Sequence, residues 1–185
     1  RFQERLSALI AEPDFHLHVL IGSLNEDKRL LRELAAELPF LKLHENVTDM
    51  AALMASCDLA ISAAGTTLYE LCAVGIPAVS YSFADNQLPS SLAFANVGAV
   101  PYAGDLRMGT ESCSIVPSPD SKGTGSAHGL PGVLSAVCHF VTDMSGNIAK
   151  RKSAQQSMHR LIDGKGSYRI AGALEECAFH NFRSP

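Results

Sequence analysis

Residues Ser62–Pro77 read SAAGTTLYELCAVGIP, directly after the apolar run CDLAI. The composition changes within a few positions from strand-like to small and hydroxylated, then to helical. Ala63, Ala64 and Gly65 would let backbone N–H groups approach an anion closely, and glycine at 65 admits a positive φ. A helix starting near Thr66 or Thr67 adds unpaired N–H donors and the positive end of its dipole. The two threonine hydroxyls can donate to phosphate oxygens. Together these features form a cradle for a diphosphate that needs no lysine.

Glu70 fits two roles. Thr67-Leu-Tyr-Glu70 has capping-box spacing, with Glu70 bonding back to the Thr67 N–H. The same carboxylate could instead accept hydrogen bonds from ribose hydroxyls at the mouth of the cradle. Gly75 and Pro77 then end the helix.

A second candidate, FADNQ (Phe83–Gln87), follows the apolar run PAVSYS. Asn86 and Gln87 offer both donors and acceptors, which suits sugar hydroxyls; Asp85 or Asn86 could equally be a helix cap. A third, Gly22–Asn25 (GSLN), reads more simply as a turn and cap. His16 and His18 share one strand face, but no third metal ligand accompanies them, so packed or hydrogen-bonded histidines are expected and no metal. Gly123-Thr-Gly125 lacks the spacing and the preceding strand of a dinucleotide fingerprint. There is no Walker A sequence and no nucleophile elbow. Thr48, within the sequon-like Asn46-Val47-Thr48, reads as a helix cap, and Lys150-Arg151-Lys152 as a solvated helix face. No cofactor is implied.

These residues need elements to position them. Strand-like FHLHVLIG (Phe15–Gly22), FLKLHE, CDLAIS, PAVSYSF and AVPYAG alternate with helical patterns. The first helix carries Leu30, Leu31, Leu34, Ala35 and Leu38 at helical spacing, with an acidic first turn near Asn25, and ends at Pro39. Thr48 opens the next helix, and Pro89 sits in the first turn of DNQLPSSLAFANVG. Such alternation with short connections predicts a Rossmann-like three-layer α/β/α fold with a mostly parallel sheet. Residues 106–128, rich in Gly, Ser and Pro, read as an irregular excursion, and 129–185 as helical, with a turn at Asp163-Gly164-Lys165-Gly166.

The 185 residues suit a single domain with a real core. The 46% hydrophobic and 18% charged composition argues against disorder. A net charge of −4 without a dense basic run argues against a nucleic-acid partner. No apolar run is long enough to span a membrane. The opening RFQERLSALIAE reads as an amphipathic helix rather than a signal peptide. Five scattered cysteines, Cys57, Cys72, Cys113, Cys138 and Cys177, fit free thiols in a cytoplasmic protein.

The stretch HENVTDMAALMASCDLAISAAGTTLYELCAVGIPAVSYSFADNQ resembles the C-terminal half of GT-B-fold glycosyltransferases of the family 28 type. It is more similar still to the nucleotide-sugar hydrolase of pseudaminic acid synthesis and to spore-coat polysaccharide biosynthesis proteins. The likeness covers Val19–Gly104 well and extends to LIDGKGSYRIAGAL near the end. The resemblance implies a nucleotide sugar, UDP-linked, as ligand. It places the diphosphate at Ala64, Gly65, Thr66 and Thr67, ribose at Glu70, the sugar at Asn86 and Gln87, and the base near His44–Val47. It implies polysaccharide or glycoconjugate synthesis, by glycosyl transfer or by hydrolysis of the nucleotide sugar. A non-catalytic α/β interaction module is the alternative from another class. Members of this family place a strand and a glycine loop before the helix that opens this chain. Their N-terminal domain carries the acceptor site and the catalytic base. The chain is therefore expected to lack its first strand and that partner domain, and no catalytic residue is assigned.

Overall fold

The computed structural model describes residues 15–107 and 129–181. The expected opening helix, Cys113, the Gly123-Thr-Gly125 segment and nearly all of the 106–128 excursion lie outside the described residues. The chain divides into two compact units, Arg1–Met50 and Ala51–Pro185. It is mixed α/β, with parallel strands flanked by helices, consistent with a Rossmann-like fold. Among the described residues the strands form two sheets, one of two strands and one of three.

In the first unit, β1 (Leu17–Ile21) pairs in parallel with β2 (Leu41–Glu45), joined by α1 (Lys28–Glu37). The Gly22–Asn25 segment is a turn: the Asn25 N–H donates to the Gly22 carbonyl, and the Asn25 side chain accepts from the Asp27 N–H. The acidic first turn expected of α1 is absent, because the helix starts at Lys28, beyond Glu26 and Asp27. Its leucine stripe stays partly exposed. β2 ends at Asn46, whose φ of 52° is left-handed, a conformation asparagine tolerates better than most residues. α2 (Met50–Ala55) begins one residue later than Thr48 as its cap requires, so Asp49 takes the flanking position.

In the second unit, β3 (Ala60–Ala63), β4 (Ala78–Ser82) and β5 (Tyr102–Asp105) are parallel and adjacent in that order. α3 (Thr67–Val74) connects the first two, and a 3₁₀ turn (Asp85–Gln87) with α4 (Leu88–Asn96) connects the second two. Crossovers between parallel strands are right-handed as a rule, so two stepping the same way put α3 and α4 on one face. Tyr69 and Phe94 join these helices edge to face, their ring centroids 5.1 Å apart. On the other face lies α5 (Gly129–Ser145), where Val133, Val137 and Phe140 pack with Val79 and Ala103 in a buried cluster. The alternation along β4 follows from the pleat. Val79 serves the α5 side, while Ala78, Ser80 and Ser82 are buried opposite. The Ser80 hydroxyl donates to the Pro101 carbonyl and Ser82 pairs with the Tyr102 hydroxyl at 2.6 Å, so neither buried oxygen is left unpaired.

α6 (Ile148–Leu161) is capped by Asn147, whose side chain accepts from the Lys150 N–H, and buries Met158. α7 (Gly166–Asn181) follows a turn with Gly164 at φ +72°. There Asp163 accepts both a fork from Arg169 and the Lys165 N–H. No helix among the described residues is long and apolar enough to cross a membrane. Cys57, Cys72, Cys138 and Cys177 are free thiols.

Candidate functional site

Because β3, β4 and β5 are parallel, their C-terminal ends form one edge of the sheet, where ligands of open α/β sheets bind. The first corner there follows β3. Ala64 is buried and anchored, its N–H donating to the Tyr81 carbonyl of the neighbouring strand. The Gly65 N–H then turns back to the Ala63 carbonyl at 2.8 Å. Thr66 is the N-cap of α3, and its side chain makes no capping bond. The amides of Leu68 and Tyr69 close on Gly65 and Thr66, whereas no hydrogen bond is formed by the amides of Thr66 and Thr67 among the described residues. Two outward N–H donors and two hydroxyls therefore stand at the positive end of α3.

Gly65 leaves open space rather than using the backbone freedom of glycine. Its φ lies outside the left-handed region, contrary to the use expected for it. A Cβ built there meets nothing within 4 Å, so no described side chain fills the corner.

Glu70 is exposed and forms no hydrogen bond or ion pair among the described residues. The capping box does not form. With Thr66 as N-cap, the third helical position belongs to Tyr69 and Glu70 falls at the fourth, one position too far to reach back. The carboxylate still lies in the first turn, with its acceptors free.

At the end of β4, Ala84 flanks the 3₁₀ turn without a side-chain cap. The Gln87 Oε1 accepts from the Phe83 N–H at 3.0 Å, leaving its NH₂ group to donate elsewhere. Asn86 is exposed and unengaged among the described residues. Asp85 is no cap: it pairs with Arg107 at 2.7 Å.

Arg107 and Asp105 were not singled out in the sequence. Gly104, at φ +127°, lies at a β-bulge where Ser80 and Ser82 of β4 face Tyr102 and Asp105 of β5. The bulge turns Asp105 inward, to 5% exposure. Arg107 answers with a fork, Nε to Oδ1 at 3.0 Å and a terminal nitrogen to Oδ2 at 2.7 Å, while its backbone N–H also donates to Oδ1. The Arg107 guanidinium holds the Asp105 carboxyl below the usual carboxylate range, against the opposing effect of burial. The available sequence signal was an aspartate two residues before an arginine at a strand end.

The first unit contains a shallow cavity of about 580 Å³ lined by residues that include His18, Arg32, Lys42 and His44. His18 Nδ1 and His44 Nε2 are 2.8 Å apart and the rings stack, so the histidine is hydrogen-bonded as expected, with its partner on β2. No cluster of metal-binding side chains occurs among the described residues.

Parallel strands flanked by helices, with a small-residue corner and a polar turn on one sheet edge, make this a Rossmann-like α/β protein. The chain is similar to the spore coat polysaccharide biosynthesis protein SpsG of Bacillus subtilis (strain 168), with 26% identity over 163 residues. The match covers 88% of this chain and 41% of that protein, so the chain spans less than half of its relative's length. No protein-family model matches the chain, and no solved structure does.

Proposed function

We propose that this chain is a nucleotide-sugar-binding domain, with a UDP-sugar as the favoured ligand, acting in the synthesis of a cell-surface polysaccharide or glycoconjugate. The carrying observation is the corner at Ala64–Thr67: a buried anchor, an unfilled glycine and two free amides at a helix start. Diphosphate oxygens accept from the Thr66 and Thr67 amides and hydroxyls, Glu70 takes ribose hydroxyls, and Asn86 with the Gln87 NH₂ holds the sugar. In glycosyl transfer the glycosidic C–O bond breaks and negative charge collects on the departing diphosphate. Amide dipoles fixed beforehand stabilise that charge most where it develops. The acceptor and the base that activates it belong, on this reading, to a further domain of a longer protein. The likeness to the spore coat polysaccharide protein supports the pathway, and the bond chemistry of the corner supports the ligand class.

Calorimetric titration of the folded chain with UDP, CDP and GDP tests this reading. Heat is expected with one of them, UDP first. Silence with all three would favour a domain that binds no nucleotide.

A further inference from the structure

We infer that Arg107 is a positioning residue that fixes the turn Asp85–Gln87, and through it the orientation in which Asn86 and Gln87 meet a sugar. Its sugar-binding part rests on the nucleotide-sugar reading above; its positioning part does not.

The argument begins at Gly104. Its positive φ permits the bulge that directs Asp105 into the protein, and a Cβ added there would come within 3.3 Å of Val133. Buried Asp105 then grips Arg107 through both carboxylate oxygens. A bidentate fork orders a guanidinium in one plane. The remaining terminal nitrogen is left pointing across the sheet edge, where it meets Asp85 at 2.7 Å. Asp85 is the first residue of the 3₁₀ turn. An exposed ion pair usually contributes little because two long side chains must be ordered to form it. Here the arginine is already ordered by Asp105, so the second contact demands only the short aspartate side chain. The turn's other ties are few. The Gln87 N–H donates to Ala84, the Leu88 N–H to Asp85, and the Phe83 N–H to the Gln87 side chain. Among the described residues, Arg107 is thus the hydrogen-bonding tie between this turn and the end of the neighbouring strand.

The test uses the full chain with Asp85→Ala, Arg107→Gln and the conservative Asp85→Glu. Amide hydrogen exchange at Phe83, Gln87 and Leu88 is expected to accelerate about threefold to tenfold in the first two variants and to recover in the third. The Gly75 and Ile76 amides, which close the far end of α3, should not change. Unaltered exchange at the turn, or acceleration spread equally to α3, would overturn the positioning role. Titrations with UDP and with UDP-N-acetylglucosamine read the second half. Asp85→Ala should weaken the sugar nucleotide about threefold or more while leaving UDP unchanged. Equal loss of both ligands, or loss of neither, would overturn the link to the sugar. A wild-type chain that binds neither nucleotide rejects the ligand reading, and the exchange result still decides whether Arg107 fixes the turn.

Discussion

A side chain at Gly75 would meet the imidazole of His159, an exposed side chain on α6 that can swing aside. A Cβ there would lie 2.4 Å from His159 Nε2 and 2.9 Å from Gln155 Cγ. Gly75 also closes α3 in the left-handed conformation, φ +81°, with its N–H on the Leu71 carbonyl. The residue that ends the helix of the proposed phosphate corner is thus the residue against which α6 packs. Gly75→Ala should cost about 1 kcal/mol or more, chiefly from a left-handed alanine, because the exposed histidine can move aside. Urea unfolding would read this directly, and a change within 0.5 kcal/mol would show that α6 shifts without strain.

Gly65 predicts the opposite for stability. Its φ is ordinary and the space before it is open. Gly65→Val should therefore change unfolding free energy by less than about 1 kcal/mol. The same isopropyl group would stand where the diphosphate is proposed to sit, and affinity for the active nucleotide should fall by about tenfold or more. A folded Gly65→Val chain that binds as tightly as wild type would remove the diphosphate from this corner.

Glu70→Gln isolates a charge whose one role within the described residues is to face the positive end of α3. The carboxylate caps no amide and pairs with no cation among the described residues, so the substitution should cost less than about 1 kcal/mol, from the helix dipole. Hydrogen bonds from ribose hydroxyls to a carboxylate are charge-assisted, and losing that charge should weaken UDP about fivefold to tenfold. The variant should also lose preference for UDP over its 2′-deoxy analogue. Calorimetry with both ligands gives the comparison, and wild-type affinity in Glu70→Gln would cancel the ribose role.

Asp105 sets an acid limit on the second unit. Its folded-state pKa lies below the ordinary aspartate value of 3.8, chiefly through hydrogen bonds from the Arg107 side chain. A depressed carboxylate contributes stability that is present above its unfolded pKa and lost as pH falls through the folded one. Unfolding free energy should therefore decline below about pH 4. Asp105→Asn should flatten that decline and cost about 2 kcal/mol at neutral pH. Denaturant curves from pH 2.5 to 7 would check both, and an unchanged acid slope in Asp105→Asn would show that other carboxylates govern it.

The strand–helix alternation was legible because each strand is a short apolar run bounded by Gly, Pro or polar residues, and because β-sheet and helix periods differ. The corner after β3 was legible for the same reason: a strand end followed by small residues has few alternatives. The capping box was misread by one position, since spacing alone could not show that Thr66, not Thr67, is the N-cap. The Arg107 tie was invisible because its parts are joined by a bulge and by a contact across 22 residues. Neither leaves a periodic trace. Nor could spacing along β1 find the partner of His18, which came from strand register: Leu20 pairs with His44, placing His44 on the same sheet face as His18.

That cross-strand pair gives a last, independent prediction in the first unit. His18 Nδ1 and His44 Nε2 lie 2.8 Å apart, so one nitrogen must carry the hydrogen and the other must accept it. Two imidazolium rings cannot keep this contact. The His18 pKa is lowered from 6.5 by burial first and then by the neighbouring charges of His44, His16 and Lys42. The folded state therefore holds His18 neutral at a pH where the unfolded chain already binds a proton. Stability from this group is complete above about pH 6.5 and is lost as pH falls through the lower folded pKa. NMR titration of the imidazole protons should place His18 below an exposed histidine. His44→Ala should move it back toward the ordinary value and lessen the loss of stability as pH falls below about 6.5. A His18 titration that is unmoved by His44→Ala would assign the shift to burial with the charges of His16 and Lys42, and the contact between the rings would then have no part in it.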